Sequence, residues 1–149
     1  MQTNLPNKSN TCIVIVTYNP DSSFINNLGR HLEIAEKIVV VDNNSAIAIT
    51  SIIPEEYLNK INIIQSETNK GIAWALNVGI KEAIKLDSDW VLSFDQDSLP
   101  NLNLLDYYST VLKSEKNVGL LGTQFSEAVV AIPAISWKES LTVITSGTL

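Results

Sequence analysis

The chain has 149 residues, enough for one domain with a sizeable core and too few for two. Its 45 % content of hydrophobic residues disfavours disorder, and its net charge of −6 argues against nucleic-acid or anionic-lipid partners. One cysteine and one histidine exclude a zinc cluster built from these residues. No apolar run approaches the about 20 residues that span a bilayer, and the start has no signal-peptide core. We therefore expect a cytoplasmic domain, an enzyme or a small-molecule binder.

The predicted strands are short apolar runs that follow a polar leader at residues 1–10. Two of these runs, Cys12–Tyr18 and Lys37–Asp42, are unbroken and rich in β-branched residues, as is typical of strands buried on both faces. Further strands are predicted at Ile61–Gln65, Trp90–Asp95 and Val118–Gly122, and the last segment, up to Ile144–Gly147, is expected to return one more.

Helical patterns separate the predicted strands. Ser22 is the expected N-cap of a helix that runs towards Glu33, with His31 facing solvent or the helix dipole, and Pro100 leads into another helix. Gly71 opens the longest helix. Its predicted apolar stripe is Ile72, Leu76, Ile80 and Ile84, joined by Ala73, Gly79 and Ala83. This alternation predicts an α/β fold with a mainly parallel sheet.

Four successive predicted strands each lead into a polar cluster. These are Thr17-Tyr18-Asn19, Asp42-Asn43-Asn44, Thr68-Asn69-Lys70-Gly71 and Asp95-Gln96-Asp97. Parallel α/β sheets bind ligands at the carboxyl ends of their strands. Each cluster alone is ordinary loop chemistry, but together they predict one binding crevice.

Several of these side chains have two possible roles. Asp95 and Asp97 stand two apart, which in extended backbone places both carboxylates on one side, where they could hold Mg²⁺ or Mn²⁺; the alternative is a solvated loop with a helix cap. Asp42 could accept hydrogen bonds from a ribose or a nucleobase, or cap the turn that follows it. Tyr18 could stack on a base or pack on a neighbouring helix.

The segment after the first strand narrows the class of nucleotide binder. Residues 18–23 contain no glycine, which disfavours a dinucleotide-binding Rossmann fold and a Walker P-loop. The sequence Asn69-Lys70-Gly71 before a long helix could form a phosphate-side loop or a plain turn.

Taken together, "IVIVTYNP", "IVVVDNNS", "NKGIAWALNVGIKEA" and "WVLSFDQDS" resemble, in this order, the start of family 2 glycosyltransferases with the GT-A fold. The Asp-Gln-Asp-Ser sequence and the final "ITSG" are most similar to the rhamnosyltransferase branch. The resemblance implies a GT-A, Rossmann-like fold, with a mainly parallel sheet between helices. Because family catalytic domains are much longer, residues 11–149 are expected to form only the nucleotide-sugar-binding portion.

The resemblance also implies an inverting transfer of a sugar, such as rhamnose, from a dTDP- or UDP-sugar to a glycan or lipid-linked acceptor of envelope polysaccharide. Tyr18 and Asp42 would contact the base, residues 69–71 would lie along the nucleoside and phosphates, Asp95 would lie near the ribose, and Asp97 would ligate Mg²⁺ or Mn²⁺. The full expected nucleotide-binding set is Thr17, Tyr18, Asn19, Asp42, Asn44, Asn69, Lys70, Gly71 and Asp95, with Asp95 and Asp97 as metal ligands.

No catalytic base is assigned, because Glu115, Glu127 and Glu139 do not match the base motif of the family. The base is expected beyond Leu149, so the chain alone is expected to be inactive. The chain is expected to lie in the cytoplasm or at the inner face of the membrane. It is also expected to self-associate through surface that the rest of a family domain would cover. A rival hypothesis is a non-catalytic nucleotide-binding module. A metal-dependent phosphohydrolase is weaker, since Tyr18 stands where its aspartate nucleophile would end the first strand.

Overall fold

The computed structural model describes residues 4–114 and residue 118, and every structural statement below refers to these residues. Residues 4–114 lie in one compact unit. Its strands are β1 (Thr11–Thr17), β2 (Lys37–Asp42), β3 (Asn62–Gln65) and β4 (Trp90–Asp95). Its helices are α1 (Ser23–Ile34), α2 (Ile49–Ile52), α3 (Glu55–Leu58), α4 (Ile72–Lys85) and α5 (Leu104–Ser114).

The four strands form one sheet in the order β3-β2-β1-β4, and every neighbouring pair is parallel. This confirms the predicted α/β class and four of the predicted strands, with bounds that shift by at most one residue. The strand predicted at Val118–Gly122 lies outside the described residues apart from Val118, and so does the segment up to Gly147.

The two central strands are buried on both faces, as their apolar runs predict. Residues 12–15 of β1 and residues 39–41 of β2 are fully buried, whereas β3 and β4 on either side of them are mostly half-buried. Alternate side chains of a strand point to opposite faces, so β1 and β2 supply the floor of two separate cores.

The two cores differ in the size of their side chains. On the α1 face, the sheet packs against large residues of the helices, among them Phe24, Leu28 and Leu105. On the α4 face, the sheet packs against Ala75 and Ala83. Residues 12, 14, 39 and 41 of the sheet belong to the α4 face, and residues 13, 15, 38 and 40 belong to the α1 face.

The predicted stripe of α4 is correct for Gly79 and Ala83, which are buried, and wrong for its isoleucines. Ala75, Gly79 and Ala83 are its buried residues, whereas Ile72, Ile80 and Ile84 of the predicted stripe are 49, 37 and 66 % exposed. The reason is a close approach of helix to sheet: a Cβ atom added at position 79 would lie only 2.3 Å from a methyl group of Val14. The large aliphatic side chains cannot fit this gap, so the small residues face the sheet.

Two predictions for α1 are also corrected. Ser22 occupies the N-cap position without a capping side-chain bond, and the Asp21 carboxylate instead accepts hydrogen bonds from the Ser23 amide (2.8 Å) and hydroxyl. These bonds lower the pKa of Asp21. His31 is buried, at 1 % exposure, because it continues the helix face that carries Phe24 and Leu28.

The environment of His31 is apolar on one side and hydrogen-bonded on the other. Its Nδ1–H donates to the Asn27 carbonyl, 2.6 Å away, and its ring meets the Phe94 ring edge-on with centroids 4.8 Å apart. Nε2 is buried and has no hydrogen-bond partner among the residues that the structure describes. Burial lowers the pKa of His31 to about 4, so the imidazole is neutral at pH 7.

Candidate functional site

The carboxyl ends of all four strands meet at one edge of the sheet. The register pairs Thr17 with Asp42, Asp42 with Gln65, and Val16 with Asp95, so the strands end nearly level. The four polar clusters of the sequence therefore come together at this edge, which we call the C-terminal edge.

Asp42 is the most enclosed member of the site, at 1 % exposure. Its Oδ1 accepts hydrogen bonds from the Thr17 hydroxyl (3.0 Å) and the Ser45 hydroxyl, and its Oδ2 accepts one from the Ser45 amide (3.1 Å). Of its two possible roles, capping of the turn is present in the structure, and contact with a base stays a prediction. Thr17 is itself fully buried and supports Asp42, whereas Asn44 is exposed with φ 73°.

The loop after β1 is tied to both neighbouring loops. Asn19 has φ 48°; its amide donates to the Ser45 hydroxyl and its Oδ1 accepts from the Ala46 amide, both at 2.8 Å. The Tyr18 amide donates to Oε1 of Gln96 at 2.8 Å. Tyr18 is 50 % exposed as a residue. The phenol ring is thus carried by a fixed backbone and remains open to a ligand.

The loop before α4 is held by Asn43, a buried residue with 4 % exposure. Its Nδ2 donates to Oδ1 of Asn69 and its Oδ1 accepts from the Lys70 amide, both at 2.9 Å. Asn69 Oδ1 also accepts from the Gly71 amide at 3.0 Å. Gly71 has φ 83°, a conformation that favours glycine, and the Lys70 ammonium lies 4.5 Å from the centroid of the Trp74 ring.

The loop after β4 is a tight turn in which the Ser98 amide donates to the Asp95 carbonyl at 3.0 Å. The backbone is therefore not extended through Asp97, and the expectation that extended geometry aligns the two carboxylates is wrong. Asp95 is half-buried at the end of the strand and Asp97 is exposed on the turn. The two residues still offer hard oxygen donors on one short turn.

Two carboxylates suit Mg²⁺ or Mn²⁺ in particular, because Mg²⁺ binds through one or two carboxylates and takes its other ligands from water and phosphate oxygens. Residues 4–114 hold no group of three or more His, Cys, Asp or Glu side chains that could enclose a metal by themselves. The donor set thus fits a cation shared with a phosphate ligand rather than a closed structural site.

Sequence reasoning did not assign a site role to Asn43, Ser45 or Gln96, yet their side chains join the loops to one another. Each stands inside or beside a predicted polar cluster, which is the signal that could have singled them out. Which loop each side chain reaches is set by the register of the sheet, and composition alone carries no such information.

The Glycosyl transferase family 2 model matches residues 12–125. The chain belongs to glycosyl transferase family 2. It is similar to dTDP-rhamnosyl transferase RfbF of Shigella flexneri, with 31 % identity over 118 residues that cover 78 % of this chain and 39 % of the relative. It is also similar to the crystal structure of S. aureus TarS 1-349, with a TM-score of 0.58 and 26 % identity over 78 % of this chain and 38 % of that one.

These matches confirm the resemblance drawn from the four motifs, and the structural match confirms the GT-A fold. The family 2 chain spans about two-fifths of the length of the two proteins that it matches. Within the described part of the family 2 domain, no helix has the length and hydropathy needed to cross a membrane.

Proposed function

We propose that the C-terminal edge of the sheet binds the nucleoside diphosphate of a sugar donor, and that the chain is the donor-binding part of an inverting glycosyltransferase. The observation that carries this proposal is the hydrogen-bonded network of loops at that edge, made by Asn19, Asn43 and Gln96. A site built in advance of ligand binding spends less of its binding free energy on ordering loops.

The base is proposed to lie between Tyr18 and Asp42. The half-exposed phenol ring of Tyr18 can stack on a pyrimidine. An ionised carboxylate only accepts hydrogen bonds, so Asp42 favours a base with a ring N–H. Uracil and thymine have that N–H at position 3, and cytosine has a bare nitrogen there. The name of the Shigella flexneri relative favours a dTDP donor and rhamnose as the sugar.

The ribose and diphosphate are proposed to run from Asp95 towards the loop of Asn69, Lys70 and Gly71. Lys70 brings a positive charge to this loop, and its ammonium already rests on an aromatic face at the site. Asp97 and Asp95 would hold Mg²⁺ or Mn²⁺. A cation bound there would neutralise charge on the nucleoside diphosphate as it leaves.

The acceptor is proposed to be a glycan or lipid-linked glycan of the cell envelope, reached in the cytoplasm or at the inner face of the membrane. Among the residues of this chain we assign no general base, a group that typically contributes ~10²–10⁴-fold to the rate of such reactions. We therefore expect the chain to bind the donor and to show no useful transfer by itself.

Titration calorimetry on the whole chain tests this function with dTDP, UDP and CDP, each with Mg²⁺ and with a chelator. We expect dTDP and UDP to bind roughly ten to a hundred times more tightly than CDP. Metal should strengthen binding of the two former nucleotides. No binding of any nucleotide at millimolar concentration would refute the function, and equal affinity for CDP and UDP would leave Asp42 as a turn cap only.

The metal ligand is tested with Asp97→Ala, and Asp106→Ala serves as a matched control because Asp106 is an exposed aspartate on α5. The first variant should lose most of the gain in affinity that Mg²⁺ provides, and the control should keep it. Acceptor-dependent sugar transfer by the purified chain would show that a base lies within it. Nucleotide binding without any sugar transfer, even in a fusion with the C-terminal remainder of a relative, would favour the non-catalytic module.

A further inference from the structure

We propose that Asn43 is a positioning residue for the nucleoside diphosphate, which acts without touching the ligand by setting the course of the Asn69-Lys70-Gly71 loop. This inference rests on the proposed function, because it assigns a purpose to a loop that the function places beside the phosphates. Both ends of the Asn43 side-chain amide are already engaged by that loop, so its effect on the ligand is expected to pass through the loop.

The backbone of Asn43 is anchored to the centre of the sheet. Its amide donates to the carbonyl of Thr17 at 2.8 Å, which extends the pairing of β1 with β2 by one residue. The next strand is joined in the same way, since the Ser66 amide donates to the Asp42 carbonyl at 2.9 Å. Asn43 therefore continues directly from the two buried central strands.

The side chain of Asn43 uses both ends of its amide on one loop. The NH₂ group donates to Asn69, and the oxygen accepts from the Lys70 amide. Asn69 in turn accepts from the Gly71 amide. A single buried side chain thus fixes three consecutive residues, at the point where the chain takes a positive φ and enters α4.

The other contacts that hold the loop lie at its two ends: the Ser66 hydroxyl donates to the Thr68 carbonyl at 2.7 Å, and the Ala75 amide donates to the Gly71 carbonyl at 3.2 Å. Gly71 is the N-cap residue of α4 and has no side chain to close the first turn, and residues 69–71 are exposed. Glycine also gives the backbone more freedom than any other residue. Without Asn43, the Lys70 amide would lose its acceptor and the Asn69 side chain would lose its donor, so the aim of the amides of Lys70 and Gly71 would be less constrained.

The experiment compares Asn43→Ala with Asn77→Ala, an exposed asparagine on the body of α4. Amide hydrogen exchange of the unliganded chain is measured first. We expect the Lys70 and Gly71 amides to lose protection in Asn43→Ala while the amides of β1 and β2 keep theirs. The control should match the unmodified chain throughout. Hydrogen exchange does not depend on any nucleotide, so it tests whether Asn43 orders the loop separately from the proposed function.

Affinity for dTDP and for thymidine, with Mg²⁺, is measured next. Asn43→Ala should bind dTDP about ten-fold more weakly, since two loop hydrogen bonds are lost, and thymidine nearly as well as before. Asn43→Asp keeps the acceptor for Lys70 and loses the donor to Asn69, so in the exchange measurement its Lys70 amide should stay better protected than that of Asn43→Ala.

Each other result overturns a defined claim. Unchanged exchange at the Lys70 and Gly71 amides in Asn43→Ala would overturn the claim that Asn43 orders this loop. Loosened amides with unchanged dTDP affinity, or equal losses for dTDP and thymidine, would overturn the positioning role. Failure of the unmodified chain to bind dTDP or UDP would instead refute the proposed function, and the exchange data would still decide whether Asn43 orders the loop.

Discussion

The two faces of the sheet reach full burial by opposite means. On the α1 face, large side chains such as Phe24 and Leu28 fill the space between helix and sheet. On the α4 face, Ala75, Gly79 and Ala83 remove that space by letting the helix approach closely. The comparison teaches that an apolar stripe marks the core only where the helix stands off at an ordinary distance.

The largest expected effect is the loss of volume on the α1 face. Phe24→Ala should lower the free energy of unfolding by about 4 kcal/mol, because it removes a buried ring and leaves a cavity. Phe24→Leu keeps most of the apolar volume and should cost much less. Urea denaturation followed by circular dichroism measures both. A loss below about 1 kcal/mol for Phe24→Ala would mean that this face collapses freely, contrary to the close packing of protein cores.

A second effect on the same face depends on pH. Burial lowers the pKa of His31 from 6.5 to about 4. Above pH 6.5 neither state binds the proton, and between 6.5 and 4 only the unfolded state does. The free energy of unfolding should therefore decrease as the pH is lowered through this window. The total loss reaches about 3 kcal/mol once the pH is below 4.

The variant His31→Leu isolates this contribution, because leucine does not titrate and carboxylates titrate equally in both proteins. The difference in unfolding free energy between the unmodified chain and His31→Leu should change with a midpoint between the two pKa values. A constant difference from pH 7 to pH 4 would show that the imidazole becomes charged without loss and so is not buried as described.

The α4 face should respond to added volume rather than to lost volume. Gly79→Ala should destabilise the chain by about 2 kcal/mol, although alanine is the better helix former, because its methyl group would meet Val14. Gly29→Ala is the matched control on α1. There the new methyl group would lie 3.0 Å from the Tyr57 hydroxyl, at the far end of a side chain that can shift. Similar effects of the two substitutions on the denaturation midpoint would remove the difference between the faces.

The sequence predicted the sheet well for a physical reason. A run such as Lys37–Asp42, apolar throughout its interior, fits a strand covered on both faces and little else, so strand positions and the α/β class could be inferred locally. Helix faces depend on distance as well as on pattern. The positions of Ile80 and of His31 were both misjudged, because what lies opposite a helix is set by tertiary packing.

The site shows the same division. That polar clusters gather at one edge follows from parallel strands and needs no knowledge of side-chain partners. The side-chain partners are harder to predict, because they are far apart in sequence. Asn43 and Asn69 are separated by 26 residues, and Tyr18 and Gln96 by 78. Composition and spacing do not encode such pairings, so the residues that position the site were missed while its edge was found.

The smallest expected effect concerns the isoleucines of the predicted α4 stripe, which the structure leaves exposed. Ile84 is 66 % exposed, so Ile84→Ser should change the free energy of unfolding by less than about 0.5 kcal/mol; isoleucine and serine have similar helix propensities, which removes a backbone contribution. The neighbouring Ala83→Ser would place a hydroxyl in the fully buried interface with the sheet, at a cost of about 1 kcal/mol or more. Urea denaturation of the two variants side by side shows whether the isoleucines or the small residues form the buried face of α4. A loss of several kcal/mol for Ile84→Ser would show that Ile84 is buried in a core. The close approach at Gly79 could then no longer explain how α4 packs.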